Sequence, residues 1–89
     1  MAKTYSFVVA DPVGLHARPA TVLVQAANKC ACDVKLEYNG REVNLKSIMG
    51  ILSLGVPTQA SVTITCDGAD EDKAIEFIEE TCKTQKVCA

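Results

Sequence analysis

The amino-acid sequence predicts an α+β fold, an open-faced β-sandwich with the element order β-α-β-β-α-β-α. Two segments, 33–38 and 61–66, alternate strictly between polar and apolar residues, which is typical of half-buried strands. Apolar residues at helical spacing occur at 18–28 and again from residue 70 onward. Short antiparallel strands with helices on one side predict a four-stranded antiparallel sheet covered on one face by three helices. A length of 89 residues fits a single domain, spanning 1–89.

A turn separates the first strand from the first helix. Residues 5–10 are rich in β-forming side chains, and the Asp-Pro-Val-Gly segment at 11–14 ends that strand. Pro19 suits the first turn of a helix because an N–H at that position would have no partner within the helix. The helix is predicted at 18–28, with Asn28 as its end and an apolar stripe of Ala20, Leu23, Val24 and Ala27.

A β-hairpin follows the first helix. The strand predicted at 33–38 and its return strand at 41–45 are separated by Asn39 and Gly40. An Asn-Gly pair between two alternating segments is the strongest short-range hairpin signal, because both residues accept the positive φ of a tight turn.

A short helix is predicted at 48–54. Ser47 precedes the apolar run and is suited to be its N-cap, and Gly55 is suited to end it. We expect Ile51 and Leu54 to point into the core, and Ile48, Met49 and Leu52 to lie at least partly at the surface.

The last third of the chain is predicted to form a strand and a longer helix. The strand at 61–66 ends in a turn at 67–69. Acidic residues at the start of the helix and basic residues near its end match the helix macrodipole. The acidic residues are Asp70, Glu71 and Asp72, the basic ones are Lys83 and Lys86, and the buried stripe is Ala74, Ile75, Ile78 and Cys82.

Charge and composition exclude several classes of function. The net charge is -2, and the nine Lys and Arg residues are scattered, so we expect no direct binding of nucleic acid. The N-terminus does not resemble a signal peptide, and no apolar run approaches the roughly 20 residues of a membrane span. We therefore expect a cytoplasmic protein without membrane insertion.

Five cysteines occur in the chain, at positions 30, 32, 66, 82 and 88. An odd number without a signal peptide argues against a disulfide framework. We interpret them as small core hydrophobes together with a few exposed thiols, of which Cys88 is the candidate nearest the C-terminus. A metal carrier that binds Cu(I) or Zn(II) through Cys30 and Cys32 is an alternative, although the C-x-C spacing is unusual for such sites.

His16 is the one histidine of the chain, and its surroundings favour chemistry over a structural role. It lies at or beside the predicted start of a helix, where backbone N–H groups and a partial positive charge attract anions. The same field opposes protonation, which leaves a nucleophilic nitrogen near neutral pH. Arg18 offers a fixed guanidinium fork for phosphate oxygens.

Residues 14–20, Gly-Leu-His-Ala-Arg-Pro-Ala, resemble the active-site motif of the HPr family, the histidine-containing phosphocarriers of the bacterial sugar phosphotransferase system. A second HPr signature is present at 44–50, Asn-Leu-Lys-Ser-Ile-Met-Gly, and the resemblance covers essentially the whole chain. It implies that His16 accepts a phosphoryl group on Nδ1 from phosphorylated enzyme I and passes it to enzyme IIA domains. Arg18 would stabilise the group, and the backbone of Ala17 and Arg18 would bind it.

The resemblance also implies a regulatory site at Ser47. As an N-cap Ser47 is fully explained by structure alone, but the second signature matches the HPr of low-GC Gram-positive bacteria. In that branch HPr kinase/phosphorylase would phosphorylate Ser47, and the product would act with catabolite control protein A in carbon catabolite repression. A partner-binding surface is expected from Ala20, Thr21, Ile48, Met49 and Leu52.

The prediction is therefore a phosphocarrier with a covalent phosphohistidine intermediate, not a free-standing enzyme, with no cofactor or bound metal and a monomeric state. Val13 stands where many HPr proteins have Ser or Asn, and one extra residue precedes His16. Three alternatives remain: an acylphosphatase-like hydrolase, the metal carrier, and an HPr paralogue without carrier function. The last is disfavoured because such paralogues lack the histidine.

Overall fold

The computed structural model describes residues 2–10, 12, 14, 17–85 and 87. Within them the chain has four strands and three helices in the predicted order, and the helices cover one face of the sheet, so the α+β open-faced sandwich is confirmed. The strands are β1 (Lys3–Val8), β2 (Asp33–Tyr38), β3 (Arg41–Asn44) and β4 (Ser61–Asp67), and the helices are α1 (Ala17–Asn28), α2 (Ile48–Leu54) and α3 (Glu71–Thr84).

The sheet has the strand order β1-β4-β2-β3, and every neighbouring pair is antiparallel. Strand β4 is central, and its register places Ile64 opposite Tyr5 of β1 and Leu36 of β2. Alternate residues of β4 (Val62, Ile64 and Cys66) are buried under the helices. The residues between them are hydroxyl-bearing and lie on the open face, as the alternating sequence predicts.

The predicted hairpin between β2 and β3 is confirmed. Asn39 has φ 52° and Gly40 has φ 80°, so both residues adopt the left-handed conformation that a two-residue hairpin turn requires. The pairing of Tyr38 with Arg41 directly beside the turn shows that the loop contains just these two residues.

The first strand begins and ends earlier than the predicted 5–10. Lys3 and Thr4 extend it because they pair with Cys66 and Thr65 of β4. Past Val8 the backbone leaves the regular ladder. The Val9 carbonyl accepts a hydrogen bond from the N–H of Gln59 (2.8 Å), and the Ala10 N–H donates to the Val87 carbonyl (2.9 Å).

Helix α1 lies between the other two helices and packs against both. Its buried residues are Pro19, Ala20, Leu23, Ala26 and Ala27, and those of α3 are Ala74, Ile78 and Cys82. Val24 and Ile75, which the helical spacing predicts to be buried, are only partly buried at the rim of this core. The predicted split of α2 is correct for Ile51, which is 0% exposed, while Leu54 is half-buried.

Four of the five cysteines lie in the described part of the chain, and all four are buried. Cys66 and Cys82 are in the core as predicted, and Cys30 and Cys32 join them, so none of these four is an exposed thiol. Burial raises the pKa of the Cys66 thiol to about 12, and the nearby Cys32 thiol adds to the rise. Burial likewise raises the pKa of Cys30 and Cys32. Cys88 lies outside the described residues.

Alkaline pH should destabilise this fold through Cys66. The folded state holds the thiol proton with a pKa of about 12, whereas the unfolded chain releases it near the ordinary value of 9.0. Above pH 9 the unfolded state therefore binds fewer protons than the folded state. The free energy of unfolding falls as the pH rises between these values, by up to ~1.4 kcal/mol per pH unit for one thiol.

Urea unfolding at about pH 7 and about pH 10 measures this loss. Cys66→Ala should lose less stability between the two conditions than the unmodified chain. Ile64→Val, a small truncation on the same buried face of β4, should keep the full loss. An equal loss in Cys66→Ala and Ile64→Val would contradict the assignment.

Candidate functional site

The predicted nucleophile His16 lies outside the described residues, as do Val13 and Leu15 beside it. The structure describes both flanks, Gly14 before it and Ala17 after it. The contacts of these two flanks define the described surroundings of the candidate site.

Gly14 is held against the segment that follows α2. It is buried and has φ 91°, a conformation that side-chain-bearing residues rarely adopt. A Cβ atom at this position would lie 2.5 Å from the carbonyl oxygen of Val56 and 2.9 Å from the carbonyl carbon of Pro57. Glycine is thus required twice, for its backbone conformation and for the close approach. The contact places Gly14 against the segment that follows the C-terminal end of α2.

Two further backbone contacts hold the start of the same loop. The Val9 N–H donates to the Ala60 carbonyl (3.0 Å), and the Ala10 N–H donates to the carbonyl of Val87 (2.9 Å). Val87 is 2% exposed, and its own N–H donates to the Cys82 carbonyl at the end of α3 (2.8 Å). The C-terminal segment therefore contributes to the support of the loop that leads to His16.

Helix α1 begins at Ala17, one residue before the predicted Arg18, so its N-terminus directly follows His16 in the chain. Ala17 and Arg18 are exposed, and Pro19 is buried. The first turn contains no acidic side chain, so nothing within it offsets the positive end of the macrodipole. The Thr21 hydroxyl, also exposed, donates to the Ala17 carbonyl (2.6 Å). This end of α1 is suited to an anionic group.

Ser47 is the N-cap of α2, as the sequence predicts. It has extended backbone dihedrals, and its Oγ accepts a hydrogen bond from the Gly50 N–H (3.3 Å). The side chain is exposed. At the other end of α2, Gly55 ends the helix with φ 60° and donates its N–H to the Leu52 carbonyl (3.3 Å).

Ser47 lies beside the C-terminal end of α1. The Asn28 side chain, in the last turn of α1, donates to the Lys46 carbonyl (3.3 Å), and the Lys46 ammonium donates to the Cys30 carbonyl (2.9 Å). Asn28 is the last residue of α1 and Ala17 the first. At 1.5 Å per residue they are roughly 16 Å apart along the helix axis. The two predicted phosphorylation sites therefore belong to opposite ends of α1.

An exposed apolar surface lies on α2. Met49 is 72% exposed and Leu52 37%, while Ile48 is half-buried, in agreement with the predicted outward positions. Ala20, predicted as a partner contact, is 0% exposed, and that assignment is wrong for this structure. The reason is that Ala20 belongs to the same apolar stripe as Leu23 and Ala27, which packs into the core.

The predicted alternative of a metal site is not supported by the described residues. Among them no three His, Cys, Asp or Glu side chains are grouped so that they could hold a metal ion. Burial raises the pKa of Cys30 and Cys32, which disfavours the thiolate form that binds soft metals.

In the described part of the chain, no helix is both long and apolar enough to cross a membrane.

Three supporting residues were missed by the sequence analysis: Asn28 as a bridge to α2, Lys46, and Val87. A terminal Asn is a plausible signal for a helix end, but its second hydrogen bond reaches the separate segment before α2. Val87 acts through its backbone, for which the side chain gives no signal.

Comparison with known proteins agrees with the sequence motifs. The family model described as "PTS HPr component phosphorylation site" matches residues 3–84. The structure of the histidine-containing phosphocarrier protein from Mycoplasma is similar at 37% identity and a TM-score of 0.93, covering 97% of this chain and 98% of that one.

Two Bacillus structures are also similar. The phosphocarrier protein HPr from Bacillus anthracis has 40% identity and a TM-score of 0.81 over 90% of this chain and 95% of its own. The catabolite repression protein Crh from Bacillus subtilis, described as a swapped dimer, has 45% identity and a TM-score of 0.72 over 85% of this chain and 87% of its own. The chain therefore belongs to the HPr family, the phosphocarriers of the phosphotransferase system, which are not free-standing enzymes.

Proposed function

We propose that this phosphocarrier holds its phosphoryl group on His16, taking it from phosphorylated enzyme I and giving it to sugar-specific enzyme IIA domains. The observation that carries the proposal is that α1 begins at Ala17, so a helix N-terminus without acidic side chains in its first turn follows the histidine directly. Membership of the HPr family argues against the acylphosphatase-like alternative. The presence of His16 favours a carrier over a paralogue that has lost this function.

In each transfer one P–N bond forms and another breaks. The Nδ1 atom of a neutral His16 attacks the phosphorus of the donor phosphohistidine, and the donor imidazole leaves with the electron pair of its P–N bond. The N–H groups of Ala17 and Arg18 and the Arg18 guanidinium would stabilise the transferring oxygens. The positive end of the α1 macrodipole would oppose a positive charge on the imidazole, which favours the neutral, nucleophilic ring. The reverse sequence on enzyme IIA returns His16 to its starting state.

Ser47 is proposed as the regulatory phosphorylation site, acted on by HPr kinase/phosphorylase, with catabolite control protein A as the partner of the phosphorylated form. Its exposure makes the hydroxyl accessible, and phosphate oxygens can replace Oγ as acceptors at the helix start. The roughly 16 Å along α1 exceeds the Debye length of about 8 Å at physiological salt. The added charge would therefore act on docking beside Ile48, Met49 and Leu52 more than on the chemistry at His16.

The docking surface for enzyme I and the enzyme IIA domains is proposed to consist of Thr21, Ile48, Met49 and Leu52. Met49 is the most exposed of them, and an unbranched thioether adapts to surfaces of different shape. This adaptability suits a carrier with several partners.

We further propose that the protein is cytoplasmic and monomeric. Light scattering tests the monomeric state, which matters because the similar protein Crh was described as a dimer.

Incubation with enzyme I and phosphoenolpyruvate should give one phosphoryl group that is labile in acid and stable in base. His16→Ala should take up none, because the acceptor nitrogen is absent, and mass spectrometry of the intact chain measures both. Ser47→Ala serves as the matched control and should still take up the acid-labile group. Equal uptake by His16→Ala, or no uptake by the unmodified chain, would refute the carrier assignment to His16.

Gly14→Ala should slow phosphoryl transfer from enzyme I by about ten- to a hundredfold, because the loop before His16 must move away from Val56. Gly40→Ala is the matched control, since Gly40 has a similar φ of 80° but no atom within 4 Å of the added Cβ. Rapid-quench kinetics measures both. Equal rates in the two variants would show that the Gly14 contact does not position the site.

Phosphorylation by HPr kinase/phosphorylase and ATP should add one acid-stable phosphate, absent in Ser47→Ala and retained in the control Ser53→Ala. The modified chain should show a higher KM as a substrate of enzyme I with a smaller change in kcat, because the charge lies away from Ala17. A drop in kcat alone would contradict action through docking. Ser47→Ala should also lose about 1 kcal/mol of stability through the lost cap.

A further inference from the structure

A cleft lies between the C-terminal end of α1 and the first half of α3, and its lining includes none of the residues proposed above for phosphoryl transfer, regulation or docking. We define the α1–α3 cleft by its lining residues Lys29, Cys30, Asp70, Lys73, Ala74 and Phe77. Its volume is about 290 Å³, and a second hollow of about 360 Å³ continues from it along α1, sharing Lys29 and Phe77. The size is close to the lower end of small-molecule sites, about 300 Å³.

The floor of the α1–α3 cleft is apolar. Phe77 is 38% exposed, one of the few large apolar side chains at the surface of the described chain, and Ala74 lies one turn before it. The Cys30 thiol is directed inward, where it donates to the Ala26 carbonyl (3.5 Å). The floor thus offers mainly the Phe77 ring to a ligand, because Ala74 is only 2% exposed, and the inward Cys30 thiol does not face the cleft.

Two ammonium groups flank this floor. The Lys29 Nζ lies 5.8 Å from the centroid of the Phe77 ring, and Lys73 lies one helical turn before Phe77. Among the described residues, neither lysine has a carboxylate within 4 Å, although three other lysines do. Asp70 also lines the cleft, and its carboxylate is turned inward: Oδ2 accepts the Ala31 N–H (2.9 Å), and Oδ1 is buried without a hydrogen-bond partner among the described residues. The cleft therefore combines an exposed aromatic ring with two ammonium groups that form no ion pair with a carboxylate of the described residues, one of them resting over that ring.

We propose that the α1–α3 cleft binds small amphipathic carboxylates, meaning an aromatic or aliphatic body that carries one carboxylate. The body rests on the exposed Phe77 ring, and the carboxylate pairs with the ammonium groups of Lys29 and Lys73. A neutral ligand of the same shape would leave both ammonium groups unpaired. The proposal does not rest on phosphoryl transfer, because none of the cleft residues takes part in the proposed transfer site.

The probe is 4-phenylbutyrate, added to the full ¹⁵N-labelled chain and followed by NMR chemical shifts. We expect saturable shifts at the amides of Lys29, Ala74 and Phe77 with a Kd on the order of 1 mM, and weaker binding at higher salt. The neutral analogue 4-phenylbutan-1-ol should bind at least several times more weakly. The proposal would be overturned if the unmodified chain showed no saturable shift, or if it bound the two compounds equally well.

Lys73→Gln should weaken 4-phenylbutyrate binding about two- to fivefold, and Lys29→Gln should have a comparable effect. The matched control is Lys83→Gln, which removes the same charge from α3, where Lys83 pairs with Glu79 (3.3 Å) outside the cleft lining. Unchanged shifts elsewhere in the spectrum verify that each variant is folded. Equal weakening by Lys73→Gln and Lys83→Gln would show a general charge effect and refute the site. Uptake of phosphate from enzyme I should be the same with and without 4-phenylbutyrate, so failure of either proposal is separately visible.

Discussion

The burial of one face of β4 is the constraint on which the rest of the structure depends. This strand pairs with β1 on one side and β2 on the other, so its register sets the register of both neighbours. A slip by one residue would turn Val62, Ile64 and Cys66 toward solvent and bring Thr63 and Thr65 under the helices. Because the sequence alternates so strictly, any slip by an odd number of residues would expose the apolar face. The helix layer, and with it the N-terminus of α1, takes its place from this one face.

The proposed active site is supported largely by backbone contacts around its loop. The chain before His16 is held by Gly14 against Val56 and by the hydrogen bond from Ala10 to Val87. A carrier that must fit a donor and several acceptors benefits from backbone support, because its surface can vary while that support stays the same. Ser47 is likewise set apart from the proposed transfer chemistry, because its neighbours lie at the C-terminal end of α1 and the chemistry is proposed at the N-terminal end.

Local features of the sequence predicted most of the fold. The strict alternation of β2 and β4, the Asn39-Gly40 turn and the Ser47 cap each depend on the chemistry of a few neighbouring residues, and the structure confirms all of them. The strand order β1-β4-β2-β3 was not predicted, since it depends on long crossovers whose direction no local pattern records. The burial of Ala20 shows a related limit: a small residue at the edge of an apolar stripe is compatible with core and surface alike. Only packing against the neighbouring layer decides between them.

The residues proposed for the site come from sequence motifs, whereas the contacts that support their neighbours come from the structure. His16, Arg18 and Ser47 carry side chains whose chemistry is visible in a motif. Gly14 was visible as a flexible position, yet its close approach to Val56 depends on where α2 ends in space. Val87 and the Lys46 carbonyl act through main-chain atoms, which every residue possesses. Sequence motifs thus suggest which groups react, whereas the contacts around Gly14 and Ala10 are properties of the assembled fold. For this protein, the structure therefore adds to the motif chiefly the contacts of Gly14, Val87 and the Lys46 carbonyl.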